Sequence, residues 1–126
     1  MAHPSVDKFG KLIVTSLRDR AIDFFDLLAK SHWKTPGLQR LQSDLRTFTP
    51  AQLAIVRRCI MQSIDHGMHD FLFALVEAHE GGQSVEIVVN GENVVPLSDG
   101  LHGEQFTDDG WIARFGKHPE LPDESP

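Results

Sequence analysis

Apolar residues at Val6, Phe9, Ile13, Leu17, Ala21, Phe24 and Leu28 recur every three or four positions and form one stripe of an amphipathic helix. The spacing predicts a long first helix over about 5–32. Thr35 followed by Pro36 is a cap with a proline preset for the first turn, and Leu38, Leu41, Leu45 and Phe48 carry a short second helix over about 36–47. Thr49-Pro50-Ala51-Gln52 has the form of a capping box, in which hydroxyl and carboxamide each satisfy a free amide at a helix start. The helix it opens, about 50–80, places Leu53, Val56, Ile60, Ile64, Gly67, Phe71, Leu75 and Ala78 on one side and stops at Gly81-Gly82.

Beyond Gly82 the helical period gives way to β-branched runs. Asn90-Gly91 suits a two-residue type I′ turn, so a hairpin is expected over about 84–97, pairing Val89 with Glu92 and Ile87 with Val94. Val85, Ile87, Val89 and Val94 then share one face, and Val88, Val95 and Leu97 the other. Pro96 has no amide to give a ladder and marks an edge. Two strands alone are marginal, so the hairpin is expected to dock and to cover Phe73, which stands on the otherwise polar side of the third helix. Thr107 or Asp108 is expected to cap a short helix over about 108–115, with Phe106, Trp111, Ile112 and Phe115 as anchors. Residues 118–126, with three prolines, read as a flexible tail. The fold class is α+β: a core of two long helices and a short one, one hairpin packed on it and a short C-terminal helix, as one globular domain over 1–117.

Helix length adds a constraint. The third helix would extend ~46 Å, whereas a compact chain of 126 residues has a radius of gyration near ~14 Å. Either the long helices bend, at Gly10 and Gly67, or they overhang and a second copy covers them. A homodimer is the expectation.

The net charge of −6 is divided unevenly. Residues 1–58 hold ten Lys or Arg against five acids, and 59–126 hold thirteen acids against Arg114 and Lys117. Ten carboxylates and no basic residue lie between Arg58 and Arg114, so any surface they share repels nucleic acid and anionic lipid and attracts cations. His32-Trp33-Lys34 with Arg40, Arg46, Arg57 and Arg58 offers basic and stacking groups, but these are interspersed with acids; Trp33 is expected to plug a helix junction and no nucleic-acid partner is expected. No apolar run reaches the ~20 residues of a membrane span, and the opening residues lack the pattern of a secretory signal, so a cytoplasmic protein without a membrane role is expected. The single cysteine, Cys59, forms no internal disulfide and is read as core filler. His79 is read as a partly buried histidine beside Met61, Met68 and Leu72.

Asp65-His66-Gly67-Met68-His69-Asp70 is the densest cluster of acid/base or ligand groups. Helical spacing pairs Asp65 with His69 and His66 with Asp70, with Glu77 one to two turns on, an arrangement able to orient an imidazole or to offer a metal part of its shell. It lacks the tighter HExxH or ExxH patterns, and the nucleophile-elbow, phosphate-loop and dinucleotide fingerprints are absent too, so neither a catalytic residue nor a cofactor is assigned. The reading is a small non-catalytic binding module of the inhibitor, immunity or antitoxin kind, masking a basic protein partner through Glu86, Glu92, Glu104, Asp108 and Asp109. The alternatives are a metal-dependent or acid/base enzyme built on His66, His69, Asp70 and Glu77, and a self-associating helical module.

Overall fold

The fold was analysed in a computed structural model that describes residues 3–120. Its first helical rod runs through α1 (Pro4–Ile13), a π-helical segment (Val14–Arg18) and α2 (Asp19–Ala29). α3 (Pro36–Leu45) and α4 (Pro50–Glu80) follow, then β1 (Val88–Val89), β2 (Glu92–Asn93), two 3-10 turns (Val95–Leu97 and Leu101–Gly103) and α5 (Trp111–Phe115). The architecture is α+β, dominated by helices, with a two-stranded antiparallel hairpin and a short closing helix.

The first helix begins where His3 caps it, its Nδ1 accepting the Ser5 amide at 3.1 Å. The π segment then corrects the expected stripe. A π turn holds roughly one residue more than an α turn and so advances the helix face by one position. The buried side chains are accordingly Val14, Arg18, Ile22 and Phe25, each one place after the expected Ile13, Leu17, Ala21 and Phe24, while Leu17 and Phe24 face outward.

α4 is capped as its sequence foretells. Thr49 Oγ1 accepts the Gln52 amide at 3.1 Å, and Gln52 Oε1 accepts the Thr49 amide at 2.8 Å. It is one uninterrupted α-helix through Gly67. Its buried face is Met61, Asp65, Met68, Leu72 and Leu75, again one place beyond the expected stripe for most positions. The apolar band is wider than one partner helix can cover, and Arg18 on the first rod selects the edge of it that carries Asp65.

At the hairpin, Asn90 and Gly91 take φ of 52° and 79° as a type I′ turn requires, and Val89 pairs with Glu92 as expected. The Val94 amide still donates to the Ile87 carbonyl at 2.9 Å, in keeping with the expected Ile87–Val94 pair, and the ladder ends there. Asn93 Oδ1 accepts the amides of Ile87 and Val95, and from Val95 the chain, with Pro96 in its first turn, winds into a 3-10 turn instead of extending to Leu97. Lys8 Nζ donates to Asn90 Oδ1 at 3.1 Å, tying the turn to α1. Val94, Val95, Leu101, Trp111 and Ile112 fill one core with Val6, Phe9, Val14, Met68, Leu72 and Leu75. Gly10 has its reason here: a Cβ on it would lie 2.2 Å from Cε2 of the fully buried Trp111. α5 starts after Gly110, not after Thr107 or Asp108.

The chain stays anchored past α5. Buried Arg18 donates Nε to Asp65 Oδ1 at 2.6 Å, Nη2 to the Glu120 carbonyl at 3.2 Å and Nη1 to the His118 carbonyl. Lys117 N donates to Asp19 Oδ2 at 2.8 Å. Residues 117–120 therefore form a strap across the helices; the rest of the expected tail, 121–126, lies outside the described residues.

Candidate functional site

A cleft of about 420 Å³ opens where the start of α1 meets the segments flanking the second 3-10 turn. His3 and Val6 line it from the helix, Ser98, Asp99, Gly103, Glu104, Thr107 and Asp109 from the loops, and Arg114 from α5. Local sequence explains how acids come to its rim. Leu101, Gln105, Trp111 and Ile112 are buried, and these anchors fix the turn-forming residues between them at the surface. The Trp111 amide donates to the Glu104 carbonyl, and that of Gly110 to the Thr107 carbonyl, both at 2.9 Å.

Two carboxylates of the cleft are oriented by one hydroxyl each. Ser98 Oγ donates to Glu104 Oε1 at 3.3 Å, and Thr107 Oγ1 to Asp109 Oδ1 at 3.1 Å. A carboxylate has about four acceptor sites, so both keep capacity for a cationic donor. Arg114 does not neutralise them through an ion pair. Its two Nη atoms fork onto Asp7 at 3.1 and 2.8 Å, and that fork holds the Asp7 carboxyl below the usual carboxylate range. Among the described residues, no Lys or Arg bridges Asp99, Glu104 or Asp109.

Of the residues singled out from sequence, Glu104 and Asp109 line this cleft and Glu92 borders it, accepting from Ser5 Oγ at 2.6 Å with His3 Nε2 3.8 Å away. Asp108 is exposed next to the rim, and Glu86 is exposed ahead of the hairpin without lining the cleft. Sequence reasoning passed over Asp99 as an individual site residue; its signal was the Ser98-Asp99-Gly100 turn, in which the Gly100 amide donates to Ser98 Oγ. The acids do not all share one face: Asp65 is internal, held by Arg18.

The histidine cluster of α4 is divided. Arg18 holds Asp65, His66, Asp70 and Glu77 are exposed, and His69 Nδ1 lies 3.2 Å from Asp70 Oδ1. Among the described residues, the group of ligand atoms close enough to share an ion is instead Asp23, Asp26 and His118, all within 4.8 Å. Arg57 forks onto Asp26 at 2.9 and 3.2 Å, and Lys117 Nζ and His118 Nε2 reach Asp23 at 3.0 and 2.8 Å. With its carboxylates already engaged by the protein's own cations, this trio is the fastening of the strap. Cys59 and His79 are both exposed, which corrects their assignment to the interior. Trp33 sits at the junction of α2 and α3 as expected, packed on Phe24 with Gln42 bonded to its amide and carbonyl at 2.8 Å each.

Apolar surface remains exposed in several places, among them a groove of about 500 Å³ between α1 and β1 lined by Phe9, Leu12, Val88 and Val89. A second groove of about 500 Å³, between the first rod and α4, is lined by Ile13, Leu17, Ala21, Ile64, Met68 and Phe71, with Ser63 as its polar member. On the other side of α4, His102 covers Phe73 edge-on at 5.0 Å, so the second 3-10 turn and not the hairpin packs there.

No family model, curated protein or solved structure matches this chain. No helix among the described residues is long and apolar enough to cross a membrane.

Proposed function

We propose that this chain is a non-catalytic protein-binding module whose acidic cleft receives basic side chains of a protein partner in the cytoplasm. The observation that carries the reading is the convergence of Asp99, Glu104 and Asp109 on one cleft while Arg114, the cation beside them, is forked onto Asp7. Their oxygens do not form a group as compact as an ion's shell, which favours a spread organic cation such as a guanidinium, whose planar fork matches carboxylates in pairs. Masking of a basic protein by an inhibitor, immunity or antitoxin protein is the form of binding this chemistry suits, because opposed potentials steer association and select partners.

Calorimetric titration with a short arginine-glycine peptide at low and at physiological salt tests it. Binding that weakens with salt, and by roughly tenfold, about 1.4 kcal/mol, in the Asp99→Asn/Glu104→Gln/Asp109→Asn variant, supports the reading. An unchanged affinity in that variant overturns it.

The apolar groove between the first rod and α4 favours a second property, self-association as a homodimer. Its walls carry residues that the helical spacing marks for burial, yet Leu17 and Phe71 are 51% and 52% exposed in the single chain. Sedimentation equilibrium is expected to show a dimer that Leu17→Glu/Phe71→Glu converts to monomer; a wild-type monomer at all concentrations removes this reading.

A further inference from the structure

The turn that builds the acidic cleft also builds an aromatic patch on its other side. Gly103 and Glu104 face the cleft, whereas His102 just before them and Phe106 just after them turn toward α4. There His102 meets Phe73 at 5.0 Å and His69 at 5.4 Å between ring centroids, and Phe106 meets His69 at 5.9 Å. The four rings pack on one another edge-on or tilted, leaving Phe73 42% and Phe106 37% exposed. On its α4 side the patch is bounded by Asp70, whose side chain is 80% exposed, and across the turn by the cleft carboxylates. The segment that supplies every one of these residues, from Cys59 to Ala113, contains no Lys or Arg.

An exposed apolar centre flanked by carboxylates, with the arginine of the cleft, Arg114, forked onto Asp7, has the anatomy of a recognition surface. Buried aromatic contacts supply most of the affinity, and the rim supplies orientation and selectivity. We propose that the Phe73/Phe106 patch and the acidic cleft are two halves of one interface, which takes a basic polypeptide segment carrying an aromatic residue near its cationic ones. The proposal rests on the reading of the cleft given above. It adds a partner class: Asp70 on one side and the cleft carboxylates on the other select a cationic chain, and the rings select an aromatic side chain within it, with edge-to-face contacts available at Phe73 and Phe106.

The test uses the full chain and a series of short arginine-glycine peptides of equal charge in which Trp is stepped through successive positions, with Ser as the reference. Affinities are measured by calorimetry for the native protein, for Phe73→Ala/Phe106→Ala and for Asp99→Asn/Glu104→Gln/Asp109→Asn, each checked for native circular dichroism. The expected result is a gain of about tenfold for Trp at one or more positions. The Phe double variant loses that gain and keeps its affinity for the Ser peptide; the cleft variant binds every peptide weakly. If the Ser peptide binds and no Trp position gains, or the gain persists in Phe73→Ala/Phe106→Ala, this inference fails and the cleft reading stands. If no peptide binds the native protein, both fail.

Discussion

Arg18 shows how one side chain can fasten three parts of this molecule. It is fully buried, pairs with Asp65 of α4 and donates to the carbonyls of His118 and Glu120 in the strap. Removing one member of a buried pair leaves the other charged without a partner, at a cost of about 3–5 kcal/mol. Arg18→Met is therefore expected to lower the urea midpoint severely, and Arg18→Met/Asp65→Leu to recover much of the loss; a double variant as weak as the single one contradicts this. Titration gives a second expectation. The Arg114 fork at Asp7, and the His118 hydrogen bond with Lys117 at Asp23, depress both carboxyls in the folded state. Depressed groups contribute stability above the unfolded value of about 3.9, and that contribution disappears as pH falls through the lower folded values. Urea unfolding followed downward from about pH 5 should show a steep loss in the wild type and a shallower one in Asp7→Asn/Asp23→Asn. Parallel curves would mean the two pairs do not couple folding to protons.

Among the helices and strands, what the sequence made legible was local chemistry. Thr49 and Gln52 announce their capping box, and Asn90-Gly91 its turn, because the atoms that satisfy each other lie within four residues. What it hid was phase. Ile13, Leu17, Ile64 and Phe71 keep helical spacing, yet they line an open groove, because a π segment advances the first rod by one position and a long-range ion pair chooses the face of α4. Neither leaves a mark in a hydrophobic pattern. The same held for the site: Glu104 and Asp109 stood out as unpaired acids in a span without cations, whereas Asp99 acquires meaning only once the chain folds back on α1. The role of the π turn is testable by deletion. Removing Ser16 should restore α geometry there while Val6, Phe9, Ile22 and Phe25 keep facing the core, giving a folded protein weakened by no more than about 2 kcal/mol. Removing Gln62 from the regular α4 rotates all that follows by ~100° and should abolish cooperative unfolding. Equal damage from both deletions would deny the π segment its part in setting the register.

Considered entire, the molecule pairs a basic opening half with an acidic closing half: Arg18 meets Asp65 and Arg57 reaches Glu120 across them, while Lys117 of the strap takes up Asp23 of the opening half. The acids left over are distributed: Asp70, Glu77 and Glu80 are exposed on α4, Glu86 precedes the hairpin, and Asp99, Glu104 and Asp109 gather at the cleft. General negative charge and a built site therefore make different forecasts for a cationic ligand. Mapping amide and side-chain NMR shifts of the full chain as a short arginine-glycine peptide is added at physiological salt separates them. Saturable shifts confined to the neighbourhood of Ser98, Asp99, Glu104, Thr107 and Asp109, with Glu77, Glu80 and Glu86 unmoved, are the predicted result. Shifts spread in proportion over every exposed carboxylate, without saturation at the cleft, would contradict it.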